Sequence, residues 1–185
     1  MTKATDRTFT FITGNQHKAD YLVKWLEMPV DHYKADLEEI QSLTLRTVAE
    51  HKVRQAYDIL KRPVLVEDVG LTFEAMGRLP GPYIKWFLEE LGDNGLCRLA
   101  DGLDHRKAHV SIVYALYDGQ ELRFFESTVQ GEVAPAPRGE YGFGWNAIFI
   151  PEGSAKTYAE MTDDEIRPFS LRAQAIEKLK AYLQT

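Results

Sequence analysis

Phe11-Ile12-Thr13-Gly14-Asn15-Gln16-His17-Lys18 decides how the chain begins to fold. Phe9-Thr10-Phe11-Ile12 is a short β-prone run that stops at a Thr-Gly-Asn corner. Beyond Asn15 the hydrophobic period changes, with Tyr21, Leu22, Trp25 and Leu26 recurring at helical spacing. The unit is therefore a strand, a glycine turn and a helix, with Asn15 placed to cap the first free backbone N–H groups. Lys18 falls in the first turn, where a cation costs about 0.3–1 kcal/mol against the helix dipole. Two readings follow. The corner is a plain cap with basic side chains turned to water, or it holds an anion. In the second reading Gly14 permits close backbone approach, and the turn's N–H groups together with Lys18 hold phosphate oxygens.

The rest of the chain limits what that anion is attached to. At 185 residues the sequence suits one domain, residues 1–185, with a sizeable core. Hydrophobic residues at 44% and charged residues at 27% are ordinary for a globular protein, which excludes disordered and low-complexity classes. No apolar run approaches the roughly 20 residues that cross a bilayer, so no membrane partner is expected. MTKATDRT lacks the apolar core of a signal peptide, and Cys97 is the single cysteine, so a reducing cytoplasm is the expected location. The formal net charge of −6 argues against a nucleic-acid partner. An anionic substrate must meet local lysines and arginines or bring a metal ion.

Thr44 opens a second helix, with Leu45, Val48, Ala49, Val53, Ala56, Tyr57 and Leu60 at apolar positions. Val64-Leu65-Val66 reads as a strand covered on both faces, and Glu67-Asp68 follows it directly. Leu79-Pro80-Gly81-Pro82 turns into a helix with Tyr83, Trp86, Phe87 and Leu91 as its apolar stripe and Gly92 as its stop. Val110–Tyr117 and Glu121–Val129 form an antiparallel pair about Asp118-Gly119. A glycine-rich stretch, Gly139–Trp145, leads to a strand near Ala147–Ile150, and Ser170 caps a last helix. Early alternation of strands and helices followed by antiparallel strands indicates an α/β fold with a mixed sheet.

Several residues could carry chemistry, each beside a plainer explanation. Lys52 shares the apolar side of the second helix with Leu45, Val48, Ala49, Val53 and Ala56, so it either meets an anion or snorkels to the edge of the core. Glu67 and Asp68 stand at the end of a buried run, where α/β proteins place functional groups, but adjacent strand residues serve one site only if the strand has ended. Glu38 and Glu39 add acids from a separate segment, and such carboxylates suit Mg²⁺ with waters and phosphates completing its shell. Each acid is also an ordinary solvated charge. Phe143-Gly144-Trp145 could stack on a planar ring or pack into the core. Ser170 and Arg172 offer a hydroxyl and a guanidinium, although a helix cap alone explains the serine.

Six stretches in order resemble the inosine triphosphate pyrophosphatase family over nearly the whole chain. They are TGNxxK at Thr13–Lys18, VEDVGL at Val66–Leu71, LPGPYIKWFLEEL at Leu79–Leu91, FGWNAIF at Phe143–Phe149, TYAEM at Thr157–Met161 and SLR at Ser170–Arg172. The resemblance implies an elongated mixed sheet with helices on both sides, forming two lobes around a central cleft. It implies a homodimer and a Mg²⁺-dependent enzyme that hydrolyses purine nucleoside triphosphates of the ITP, XTP and dITP class to monophosphate and pyrophosphate. Carried over by position, Thr13, Gly14, Asn15, Lys18 and Lys52 grip the triphosphate with Lys85 nearby, and Lys18 also serves catalysis. Glu39 and Asp68 serve the metal and the attacking water, with Asp68 as general base. Phe143 and Trp145 stack on the base, Ser170 and Arg172 contact the purine, and Gly144 and Asn146 are further substrate-binding positions.

Four departures accompany the likeness. Asn146-Ala147 stands where the family has Asp-Pro, and Leu171 where it has His. Ile166 replaces a lysine, with Arg167 one place late, and Tyr21 replaces a glutamate, with Asp20 adjacent. Three of the four fall on the base-reading side, which leaves two alternatives to the family's activity: a member with shifted base specificity, and a nucleotide-binding module with weak or no hydrolysis.

Overall fold

The computed structural model describes residues 8–184. Its first strand, β1 (Thr10–Ile12), is buried throughout and hands over at Asn15 to helix α1 (Gln16–Leu26). Strand β2 (Asp31–Tyr33) follows, then helix α2 (Leu45–Leu60) and strand β3 (Val64–Phe73). β1 pairs in parallel with both β2 and β3, as a helical crossover between strands requires. A two-residue strand, β4 (Pro80–Gly81), lies antiparallel to β3 and leads into helix α3 (Ile84–Asp101). Strands β5 (Lys107–Tyr117) and β6 (Leu122–Val133) are joined by a four-residue connection, which only antiparallel neighbours allow. Asp118 secures that turn, its carboxylate accepting from the N–H groups of Gln120 (2.8 Å) and Glu121 (2.7 Å). Strand β7 (Phe149–Pro151) pairs antiparallel with β6; helices α4 (Asp163–Ile166) and α5 (Leu171–Leu183) complete the chain. The seven strands form one mixed sheet in the order β2-β1-β3-β5-β6-β7, with β4 on β3.

The chain divides into two compact units. One contains the described residues up to Asp68, Ile112–Ser127, and the residues from Arg172 onward. Its core joins α2 to the sheet: Ala49, Val53 and Ala56 pack with Ile12, Val64, Val66, Val113 and Ala115. Because side chains alternate along a strand, Val64, Val66 and Asp68 share the α2 side while Leu65 and Glu67 point the other way. The helical pattern expected from Thr44 holds in detail, since Val48, Ala49, Val53 and Ala56 are the buried residues of α2. α5 joins this unit through Ser127, whose hydroxyl donates to Gln174 at 2.6 Å, and through buried Ala175, Ile176 and Leu179.

The second unit contains Val69–Ser111 and Thr128–Leu171. An aromatic cluster of Trp145, Phe149 and Tyr158 fills it, with ring centroids 5.2–6.2 Å apart. Arg106 ties its loops together by donating to the carbonyls of Cys97 (3.1 Å), Val133 (2.7 Å) and Ala134 (2.5 Å).

Two expectations change. β3 does not end at Val66 but continues to Phe73, so Glu67 and Asp68 lie inside a strand. In α3 the expected stripe is not the buried one: Trp86 is 55% exposed and Leu91 is exposed, whereas Ile84, Leu96, Cys97 and Ala100 are buried. At Gly92, the expected stop, a φ of 62° and ψ of 177° break the helix, and the buried Leu96, Cys97 and Ala100 lie beyond it, outside the stripe read from Tyr83 to Leu91.

Gly131 shows how closely β6 and β7 approach. A Cβ there would lie 2.2 Å from the carbonyl oxygen of Ile150. Gly131→Ala is expected to destabilise the fold by about 1–3 kcal/mol through backbone displacement. Urea unfolding monitored by circular dichroism checks this, and an unchanged midpoint would show that the strands separate freely.

Candidate active site

Asn15 caps α1 as its position suggests. Its side-chain oxygen accepts from the N–H groups of His17 (3.0 Å) and Lys18 (3.4 Å), and the Thr13 hydroxyl accepts from the Asn15 N–H at 3.0 Å. The Thr13 N–H in turn donates to the carbonyl of Tyr33 at 3.0 Å, which fixes the corner to β2. Gly14 is exposed and does not adopt a left-handed conformation; its missing Cβ leaves room for the methylene stem of Lys34, 3.4 Å from where that carbon would stand. Lys34 thus brings a second lysine to the corner. The two lie sixteen positions apart and on different elements, so only the parallel pairing of β1 with β2 reveals it.

Lys52 is met by two acids. Its ammonium donates to Asp68 Oδ1 at 2.9 Å and to Glu39 Oε1 at 3.0 Å. The side chain is 14% exposed, which excludes simple snorkelling into water. Gln55 of α2 helps place the acidic loop, accepting from the Glu38 N–H and donating to the Glu38 carbonyl, each at 3.1 Å. Asp68 Oδ2 is buried with no hydrogen-bond partner, leaving one oxygen of this carboxylate with lone pairs to satisfy. Burial raises the Asp68 pKa above the ordinary aspartate value, and the Lys52 charge only partly offsets this. Burial works in the opposite direction on Lys52, but Asp68 and Glu39 outweigh it and hold the ammonium protonated.

Glu67 organises the other face of β3. It is 5% exposed and pairs with two cations: Oε1 lies 3.1 Å from Lys18 Nζ and 3.1 Å from Arg172 Nη2, and Arg172 Nε also donates to Oε2 at 3.4 Å. Its second oxygen accepts from the Tyr114 hydroxyl at 2.7 Å. Burial alone would push this carboxyl up, but Arg172 and Lys18 overcome it and bring the pKa down to about 2. Sequence reasoning left Glu67 without a role. The alternation rule was a usable signal, since a strand continuing through Asp68 must send its neighbour to the opposite face.

The remaining positions are dispersed. Lys18, Lys52, Glu39, Asp68 and Arg172 belong to the first compact unit; Lys85, Phe143, Gly144, Trp145, Asn146 and Ser170 belong to the second. Lys85 is exposed, with its ammonium 4.9 Å from the Trp86 ring centre. Phe143 is half-buried ahead of a 3₁₀ turn, Gly144–Ala147, whereas Trp145 is buried in the aromatic cluster. Asn146 folds back towards Gly142, its Nδ2 2.0 Å from where a Gly142 Cβ would stand. Ser170 and Leu171 are buried, and Arg172 spends its guanidinium on Glu67. Among the described residues no three histidines, cysteines or acids gather to hold a metal ion.

The low Glu67 pKa has a direct consequence for stability. Since the folded value of about 2 lies below the ordinary 4.5, its contribution is complete above pH 4.5 and is lost as pH falls towards 2. The difference in unfolding free energy between the wild type and Glu67→Gln should therefore shrink over that interval, by on the order of 3 kcal/mol. Urea unfolding at a series of pH values measures it; a pH-independent difference would mean that Glu67 is not held in a charged network.

Residues 9–182 match the Ham1 family. Inosine triphosphate pyrophosphatase 2 of Trypanosoma cruzi is 43% identical over 183 residues, which cover 97% of this chain and 93% of that protein. The dITP/XTP pyrophosphatase of Hyperthermus butylicus is 39% identical over 181 residues, covering 96% and 95%. The solved structure of a HAM1 protein from Coxiella burnetii is similar with a TM-score of 0.80 at 25% identity, over 95% of this chain and 98% of that one. Both the sequence and the fold agree over almost the full length, and the chain belongs to the Ham1 family.

Proposed function

We propose that the protein is a nucleoside triphosphate pyrophosphatase that hydrolyses inosine, xanthosine and deoxyinosine triphosphates to the monophosphate and pyrophosphate. Relatives matched over nearly their whole length carry these activities in their names. The observation that carries the chemistry is Lys52 shared by Glu39 and Asp68, with one buried Asp68 oxygen left over.

The residues fit a Mg²⁺ ion. Two carboxylates from separate segments are the acidic donors this ion commonly takes, with waters and phosphate oxygens filling the remaining positions, and Asp68 Oδ2 is an oxygen still lacking a partner. Glu39 and Asp68 would hold the ion, which when bound polarises phosphoryl oxygens and water. Asp68 takes the proton of the attacking water, and burial, by raising its pKa above the ordinary aspartate value, makes its carboxylate a stronger base. The water oxygen forms a bond to phosphorus, the α–β phosphoanhydride bond breaks, and pyrophosphate leaves. Lys18 and the Asn15 corner hold phosphate oxygens. Lys52 turns from its carboxylates towards the triphosphate, exchanging one set of anionic partners for another. Catalysis is then mainly positioning and charge stabilisation, which is what phosphoryl transfer demands.

Pyrophosphate release in the presence of Mg²⁺ across ITP, XTP, dITP, GTP and ATP tests the proposal. Release is expected from the first three, with kcat falling about 10²–10⁴-fold in Asp68→Asn as for a lost general base. Thermal stabilisation by one nucleotide with no release from any would favour a binding module. Turnover unaffected by Asp68→Asn would remove this residue from the mechanism.

A further inference from the structure

The crowding around Glu67 goes beyond what a buried ion pair needs. One carboxylate oxygen serves two cations, each at 3.1 Å, so Lys18 and Arg172 are brought together as like charges on Glu67. The other oxygen accepts from the Tyr114 hydroxyl at 2.7 Å, which belongs to a fully buried side chain on β5, and from Arg172 Nε at 3.4 Å. Two positive charges against one negative leave a surplus. Its location follows from burial, because the Arg172 side chain is enclosed whereas that of Lys18 is 21% exposed. Lys18 is therefore both the outlet for the surplus charge and the cation free to leave if the carboxylate weakens.

We propose that Glu67 is a positioning residue for the reaction. Its carboxylate, oriented by Tyr114 and balanced by Arg172, fixes the Lys18 ammonium where it meets the triphosphate. This rests on the phosphate-binding role of Lys18 given above. Glu67 touches no substrate atom and acts through Lys18 alone. Neutralising it leaves two adjacent cations facing an amide, and Lys18, with access to water, swings away.

Two measurements test this. In nucleotide-free protein, acetylation of Lys18 by an amine-reactive ester, followed by mass spectrometry, should accelerate at least about threefold in Glu67→Gln as the ion pair is lost. In steady-state hydrolysis of ITP, Glu67→Gln should lower kcat about tenfold or more, since misplacing a contact group by an ångström can cost that much. In the Lys18→Ala background the same change should cost less than about twofold, because the two residues act as one unit. Equal losses in both backgrounds, or unchanged acetylation, would overturn the proposal. If Glu67→Gln does not fold, Tyr114→Phe keeps every charge while removing the shorter of the two hydrogen bonds to Oε2. It should speed acetylation and lower kcat in the same Lys18-dependent way, and no effect on either would overturn the proposal equally. A wild-type protein that releases no pyrophosphate counts against the proposed function alone, since acetylation reports the hold on Lys18 without turnover.

Discussion

Alternation of side chains along one buried strand is the constraint on which the rest depends. Glu67 and Asp68 are neighbours in β3, so they must project to opposite faces of the sheet. Neither can be buried as a charge without a partner. Each is met by a lysine from a different helix: Lys18 from α1 for Glu67, and Lys52 from α2 for Asp68. The two resulting groups have opposite charge. Glu67 faces two cations, whereas Lys52 faces two carboxylates. Both kinds of environment enter the proposed reaction, cations for the phosphates and carboxylates for the ion and the water.

Burial makes these groups responsive to a ligand. A surface ion pair contributes little and is screened by salt, whereas a buried carboxylate with one partner removed is strongly destabilised. Asp68 already has an oxygen with no partner, so its environment is incomplete in a way that a ligand can correct. Glu67 is complete, and its three partners hold it in one place. This contrast matches a division of labour, with the satisfied acid fixing geometry and the unsatisfied one available for chemistry.

Much of this was legible from local pattern. The Asn15 cap follows from its place just before the helical period and the α2 face from spacing that reports burial directly, and the oddity of Lys52 on an apolar stripe was visible before any partner was known. The pairing of Lys52 with Glu39 and Asp68 was not, because the three residues come from a helix, a loop and a strand and meet only after folding. The length of β3 was misjudged for a related reason: Glu-Asp looks like an ending, and nothing local reveals that lysines and an arginine wait to neutralise it. Glu67 is joined to Arg172 across 105 positions of sequence, beyond the reach of any periodicity. In α3, the expected stripe stops at Gly92, where the helix does break, and so does not reach Leu96, Cys97 and Ala100, which are buried beyond it. Trp145 illustrates the ambiguity of aromatics in a loop, where the same residue suits a stacking platform and a core, and the neighbouring Phe149 and Tyr158 decide for the core.

The central claim is that two adjacent carboxyls of one strand are held in different ways, Glu67 by two cations that overcome its burial and Asp68 by a burial that its cations only partly offset. Carbon-13 NMR titration of the Glu67 and Asp68 side-chain carboxyls tests it most directly. The account predicts that Glu67 titrates near a pH of about 2 and Asp68 above the ordinary aspartate value. Two curves that both fall in the ordinary carboxylate range would contradict it.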